Sequence, residues 1–352
     1  MTHETRFCTA PDGVGLAYAI EGDGPPLVKA GNWLTHLEYD RQSPVWRHWV
    51  RELSRTHTLI RYDERGCGLS DRELTATPTL DTYVDDLAAV VDAAGLERFA
   101  LLGLSGGGPT AIEYAARNPE RVSHLVLYGS YVRGRYRRGP DEAERSRLLI
   151  ELMRVGWGGS VPAFRQVFSS IYIPSAGEEQ KRWYDDMQQA SSTGEVAALL
   201  WRSRTQTDIT ETARRIGQPA LVLHARGDRA VPYDEGRRLA SLIPKARFVT
   251  LESDNHILQD GEPAWERFVA EVRAFLGDGQ RAPVATPDLS ELSDRELEVL
   301  ELVAAGMSNE DIAERLFLSP RTVERHLSNV YVKLRLSGKS ARAAAAARFS
   351  RT

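Results

Sequence analysis

The sequence predicts an α/β domain with a largely parallel sheet, crossover helices and an inserted helical cap, followed by a small all-α domain. Three observations carry this. β-rich runs alternate with helical patterns from Arg6 to Gly129 and again after Gln218. Between these blocks, from about Tyr131 to Thr210, strand signals disappear and large aromatics gather. Beyond a Gly/Pro-punctuated stretch, Gly277 to Ser290, apolar residues recur at helical spacing on three successive segments.

The strands are expected in "VGLAYAI", "PPLVKA", "HTLIRYD", "RFALLGLS", "SHLVLYG", "PALVLHARGD" and "ARFVTLESDNH". Helical periods fit "PVWRHWVRELSR", "LDTYVDDLAAVVDAAG" and the segment after Ser105, where Pro109 is tolerated in a first turn. The cap brings Trp157, Phe164, Phe168, Tyr172, Trp183, Tyr184 and Trp201. These rings read as core and as pocket walls. The expected boundaries are 1–276 for the α/β domain with its cap at about 131–210, 277–290 for a linker, and 291–352 for the helical domain. "ARAAAAAR" near the end reads as a further helix.

Length and composition agree with two domains. At 352 residues the chain exceeds the usual size of one core, and 42% hydrophobic with 27% charged residues gives a core without any run long enough to span a bilayer. The opening "MTHETRFCTA" lacks a basic segment followed by an apolar one, and Cys8 and Cys67 are the only cysteines. A cytoplasmic protein without membrane or disulfide framework is expected. The net charge of -4 conceals a division: Asp288 to Glu314 holds nine acidic residues and one basic, Arg315 to Thr352 nine basic and one acidic. A local basic surface suits a small DNA-reading module.

Gly103-Leu104-Ser105-Gly106-Gly107 fits G-x-S-x-G between a predicted strand and helix. The glycines permit a tight turn that lifts the serine from the sheet beside a helix N-terminus. A serine needs a base, and the base an orienting acid. His256 and Asp228, each in a loop after a predicted strand, supply them in the order Ser, Asp, His; Asp254 is a rival acid. The remaining histidines of this domain read as structural or solvated, and "RGRYRRG" (Arg133–Gly139) as a solvated face, with contact to DNA or an anionic ligand as the lesser reading.

From about Phe7 to Leu276 the chain resembles the α/β-hydrolase superfamily, "RYDERGCGLSD" (Arg61–Asp71) included. The resemblance implies a Ser105, Asp228, His256 triad and an oxyanion hole from the backbone N–H groups of Asn32 and Gly106. Ala30, in Lys29-Ala30-Gly31-Asn32-Trp33, departs from the family's common histidine, and Gly106-Gly107-Gly108 leaves the helix start with little side-chain support. Trp33, Leu104, Tyr172, Trp183 and Trp201 are the expected pocket walls.

The helical end places Leu297, Leu300 and Val303, then Ile312 and Leu316, then Val323, Leu327, Val330 and Leu334 on three helices. Gly306 closes the first, Ser308 caps the second, and Ser319-Pro320 opens the third. From about Leu292 to Phe349 this resembles the LuxR-type helix-turn-helix, with Ser319, Thr322, Val323, His326, Asn329, Tyr331, Lys333 and Leu334 at pattern positions. The resemblance implies a recognition helix within Leu318–Leu334. Thr322, His326 and Lys333 would hold phosphates, Arg325, Ser328 and Asn329 would reach base edges, and Arg321 completes the DNA-facing set. Glu324 stands where many members carry lysine.

A regulator follows as the expectation: a homodimer on a two-fold double-stranded operator, its larger domain sensing a small, mostly apolar carbonyl compound such as an ester or lactone. The alternative is an active serine ester or lactone hydrolase. No phosphate loop or metal-ligand cluster is evident in the sequence, so no cofactor and no metal are expected.

Overall fold

The computed structural model describes residues 4–74, 76–277 and 292–333, together with Arg342, Ala345 and Ala346. Two compact units divide the chain, residues 1–279 and 280–352. The linker expected over 277–290 lies, apart from Gly277, outside the described residues, as does most of the alanine-rich helix.

The first unit runs β1 (Glu4–Thr9), β2 (Gly15–Glu21), β3 (Pro26–Lys29), α1 (Leu37–Gln42), α2 (Arg47–Ser54), β4 (Thr58–Tyr62), α3 (Leu80–Ala93), β5 (Phe99–Leu104), α4 (Gly107–Arg117) and β6 (Val122–Tyr128). A cap of α5 (Pro140–Gly156), α6 (Ala163–Tyr172), α7 (Glu178–Ser191) and α8 (Gly194–Thr205) follows. The sheet resumes through α9 (Thr210–Arg214), β7 (Ala220–Ala225), α10 (Tyr233–Leu242), β8 (Ala246–Leu251) and α11 (Pro263–Leu276). Its spatial order is β1-β2-β4-β3-β5-β6-β7-β8. β1 pairs antiparallel with β2, and β2 with β4; every later pairing is parallel.

Parallel strands covered on both faces must be apolar throughout, and β5 and β7 are buried at every position. Alternate residues serve opposite faces. Leu102 and Leu104 pack with Trp49 of α2 and Phe268 of α11, while Leu101 packs with Val90 of α3 and Ile112 of α4. β1 was not expected. Its sequence ETRFCT has no apolar face, and Phe7 is 66% exposed, so main-chain pairing from Glu4 opposite Ile20 to Thr9 opposite Gly15 holds this edge. An Arg133–Asp208 bridge closes the root of the cap.

The second unit holds α12 (Asp294–Ala304), α13 (Asn309–Leu316) and α14 (Pro320–Lys333). Ser293 with Glu296, and Ser308 with Asp311, form reciprocal capping boxes at the starts of α12 and α13. Ser319 Oγ accepts from Thr322 N at 3.1 Å and opens α14. Val299, Val303, Ile312, Ala313, Val323 and Leu327 make the core. Gly306 follows α12 at φ +82°.

Candidate functional site

Ser105 joins β5 to α4 with φ +50°, a left-handed conformation that costs about 1–3 kcal/mol in a non-glycine residue. Close packing holds it there. Ser105 N donates to Tyr128 O at 2.9 Å, tying the turn to β6. The three glycines after it are contact positions. A Cβ on Gly107 would lie 2.7 Å from Gly31 O, one on Gly106 would lie 2.9 Å from Arg204 Nε, and one on Gly108 would strike Ser130. The helix start that looked unsupported is therefore wedged against the β3 loop and the end of β6.

Asp228 and His256 meet as the chain order implied, with His256 Nδ1 2.6 Å from Asp228 Oδ2. The other carboxylate oxygen accepts from Ala230 N at 2.8 Å and Val231 N at 2.9 Å. Burial alone would raise the Asp228 pKa, but His256 and His224 beside it hold it well below the usual carboxylate range. His224, read from sequence as structural or solvated, is buried with its Nε2 3.4 Å from Asp228 Oδ2 and 3.0 Å from Val231 O. Asp254 is exposed and packs beside Gly227 instead. His256 Nε2 is buried and has no hydrogen-bond partner among the described residues. The His256 loop is held by the cap: His256 N and Ile257 N both donate to Tyr172 O, at 2.9 and 3.2 Å.

Two cavities meet at Ser105. One, of about 50 Å³, lies on the Gly106 side against Trp33, Tyr131, Tyr172 and Trp201 and three arginines, Arg135, Arg138 and Arg204. The other, of about 10 Å³, lies on the His256 side against Asn32, Trp33, Leu104, Tyr172, Tyr184 and Met187. Gly106 lines the first cavity and Asn32 the second, and Ser105, Trp33 and Tyr172 line both. Asn32 Oδ1 accepts from Lys29 Nζ, whose burial lowers its pKa to about 8. Trp33 is the hub of the roof, with ring centroids 4.8 Å from Trp201, 5.6 Å from Trp157 and 5.7 Å from Tyr172.

Two sequence readings need correction. Trp183 is not a wall of either cavity; it packs on Tyr39 with centroids 5.0 Å apart, and the next residue on α7, Tyr184, faces the site. A one-residue step on a helix turns a side chain by about 100°. The Arg133–Gly139 segment is not simply a solvated face, because Arg135 and Arg138 line the cavity beside Ser105. Arg204 also went unnoticed in the sequence. It bonds Glu64 of the turn after β4, so the motif at Arg61–Asp71 is joined to the cap. Lone arginines in a helical segment carry no pattern that separates them from surface charge.

In the second unit α14 exposes Arg321, Glu324, Arg325, Ser328 and Asn329, with Thr322 and His326 half-buried beside them. Thr322 Oγ1 lies 2.7 Å from Ser319 Oγ. Lys333 has a use the sequence did not reveal: its Nζ lies 2.6 Å from Glu296 Oε2 and ties α14 to the α12 capping box. Among the described residues no helix is long and apolar enough to cross a membrane. Nor do any three His, Cys, Asp or Glu residues among them form a group that could hold a metal ion.

Known proteins accord with this anatomy. Residues 40–263 match the α/β hydrolase fold family, and residues 290–346 match the luxR family of bacterial regulatory proteins. The chain is 28% identical to a 2-hydroxymuconate semialdehyde hydrolase of Pseudomonas sp., over 76% of this chain and 88% of the relative. It is 30% identical to a 2-hydroxy-6-oxononadienedioate/2-hydroxy-6-oxononatrienedioate hydrolase of Cupriavidus pinatubonensis, over 76% of this chain and 88% of that one. An esterase from Rhodococcus sp. superposes with TM-score 0.65 at 25% identity, covering 77% of this chain and 98% of its own. The chain belongs to the α/β hydrolase fold family and carries, at residues 290–346, a DNA-binding regulatory domain of the LuxR family.

Proposed function

We propose that this protein is a ligand-responsive transcriptional regulator in which the hydrolase-fold unit binds a small acyl compound at Ser105 and thereby alters the DNA affinity of the second unit. The observation that carries this reading is the presence in one chain of a capped cavity at a strained serine and a helix, α14, with an exposed polar face. A ligand changes DNA affinity only by binding one arrangement of the protein better than another, and a single reader module is small for tight specific binding. Two copies on a two-fold operator follow. The test is selection of an operator from random duplexes, then titration of the full-length protein with and without esters and lactones that occupy the cavity, with sedimentation to count subunits. Affinity indifferent to every occupant, or a strictly monomeric complex, removes the reading.

A second reading, turnover of the bound compound, is favoured by the 2.6 Å Asp228–His256 contact and the unpartnered His256 Nε2 in a cavity shared with Ser105. Relatives named as hydrolases and an esterase support it. Ser105 attacks the carbonyl, His256 takes its proton and returns it to the leaving oxygen, and water clears the acyl-enzyme. Hydrolysis would then end the signal. A covalent Ser105 adduct seen by mass spectrometry after ester treatment is the expected result, and absence of esterase activity over varied acyl chains would remove this reading alone.

A further inference from the structure

The cavity on the Gly106 side of Ser105 is unequal in charge. Arg204 bonds Glu64, and its Nη1 donates to Tyr83 Oη at 2.8 Å and Leu200 O at 2.9 Å. Its Nε is buried without an acceptor, close against Gly106. Arg135 pairs with Glu142 at 3.0 Å and donates to Ala230 O at 2.5 Å. Arg138 makes no ion pair among the described residues. Its Nε donates to Arg133 O at 2.6 Å, its guanidinium lies 4.7 Å from the Tyr131 ring centroid, and its Nη1 is buried without an acceptor. Of the three guanidinium groups only Arg135 and Arg204 have a paired carboxylate, Glu235 near Arg138 being paired with Arg133, and among the described residues Arg138 Nη1 and Arg204 Nε lack acceptors. An unpaired charge withdrawn from water is costly, and a bound anion would supply both the missing charge and the missing acceptors.

The His256 side is different in kind. Leu34, Trp46, Tyr184, Met187 and Ile257 line it beside Asn32 and His256, and no arginine is among its lining residues. In acyl transfer the base returns its proton to the leaving oxygen, so the leaving group must lie on the His256 side and the acyl group on the Gly106 side. This orientation rests on the hydrolytic reading above; the anion site itself rests only on the cavity.

We propose that the ligand is an ester whose acyl half ends in an ionised carboxylate, seated on Arg138 and Arg204, and whose alcohol half is apolar. Ser105 Oγ bonds to the ester carbonyl carbon as its proton passes to His256 Nε2. That proton then leaves with the alkoxide as the C–O bond breaks. Water adds to the acyl-enzyme, releasing the dicarboxylate and restoring Ser105. The surplus of one positive charge and a cavity of about 50 Å³ fit a small monoanion better than a phosphate.

The full-length protein is assayed on p-nitrophenyl hydrogen glutarate and its neutral counterpart, p-nitrophenyl methyl glutarate. One charge-assisted contact should favour the anionic ester in kcat/KM by about tenfold to a hundredfold. That ratio should fall towards one in Arg138→Gln and return in large part in Arg138→Lys, while Arg237→Gln on the exposed face of α10 keeps the wild-type ratio. Equal rates in the wild type, or an unaltered ratio in Arg138→Gln, would overturn the proposal. Stronger competition by inorganic phosphate than by glutarate would overturn the carboxylate assignment. Calorimetry of Ser105→Ala with monomethyl glutarate separates the two readings. Binding that depends on Arg138, in a protein whose wild type hydrolyses nothing, upholds the anion site and removes turnover; hydrolysis without charge preference does the reverse.

Discussion

Replacing Gly108 with alanine tests the packing that holds the serine in place. The new Cβ would lie 2.5 Å from Ser130 Cβ, nearly 1 Å inside ordinary contact. Rotating the serine hydroxyl cannot relieve this, because both carbons are fixed by the backbone. Alanine in a helix should gain about 0.5–1 kcal/mol over glycine, whereas overpacking of a tight core costs about 1–3 kcal/mol. The net expectation is a loss of about 1–2 kcal/mol, together with displacement of the α4 start from β6. Since β6 also meets the Ser105 turn, ligand binding should weaken as well. All seven tryptophans lie before residue 277, so urea unfolding followed by tryptophan fluorescence reports on this unit alone. Adding Ser130→Gly removes the opposing carbon, and the pair should show a favourable coupling of about 1–2 kcal/mol. A stabilised Gly108→Ala protein, or additive effects in the double mutant, would refute the close-contact account.

Ser105→Ala should lower any ester hydrolysis by about 10⁴-fold or more while leaving the fluorescence transition in place; an unchanged rate would assign the chemistry elsewhere. The depressed pKa of Asp228 makes its ionised form a source of stability present above the unfolded value, near pH 4, and lost as the pH falls through the lower folded value. Asp228→Asn should therefore flatten that part of the acid-unfolding curve, and an identical curve would show that the carboxylate is not held as described. Arg325→Ala should weaken operator binding by about 1–3 kcal/mol with less effect on random duplexes, measured by fluorescence anisotropy. Lys333→Ala should weaken all DNA alike and also lower the melting temperature of the second unit, because the ion pair to Glu296 is lost; an unmoved melting temperature would set that pair aside.

The centre of the sheet was legible because strands buried on two faces leave continuous apolar runs, as in Phe99–Leu104 and Ala220–Ala225. Ser105 and Asp228 could be placed because each follows such a run, and His256 because it lies in the loop after the half-exposed β8. β1 was not, since an exposed edge held by main-chain pairing needs no side-chain pattern. Periodicity placed Trp183 and Tyr184 on one helix but could not say which of two neighbouring rings turns inward. The arginines fared worst. Arg138 and Arg204 are ordinary surface residues by type, and only the closing of the cap over Ser105 makes them part of a site. The three helices of the second unit were legible from their caps and apolar spacing, whereas the Lys333–Glu296 tie joins residues whose pairing depends on how α12 and α14 cross.

The carbonyl of Tyr172, which receives both His256 N and Ile257 N, makes the last turn of α6 a mechanical partner of the loop that carries His256. A cap that lifted there would strip two buried donors of their acceptor and carry the histidine loop with it. Moving α8 instead would break the buried Arg204–Glu64 pair, so both ends of the cap are anchored to the body by buried polar contacts. While α6 stays in place, the loop that carries His256 keeps both main-chain tethers, and the Asp228–His256 pair is held from the cap as well as from the sheet.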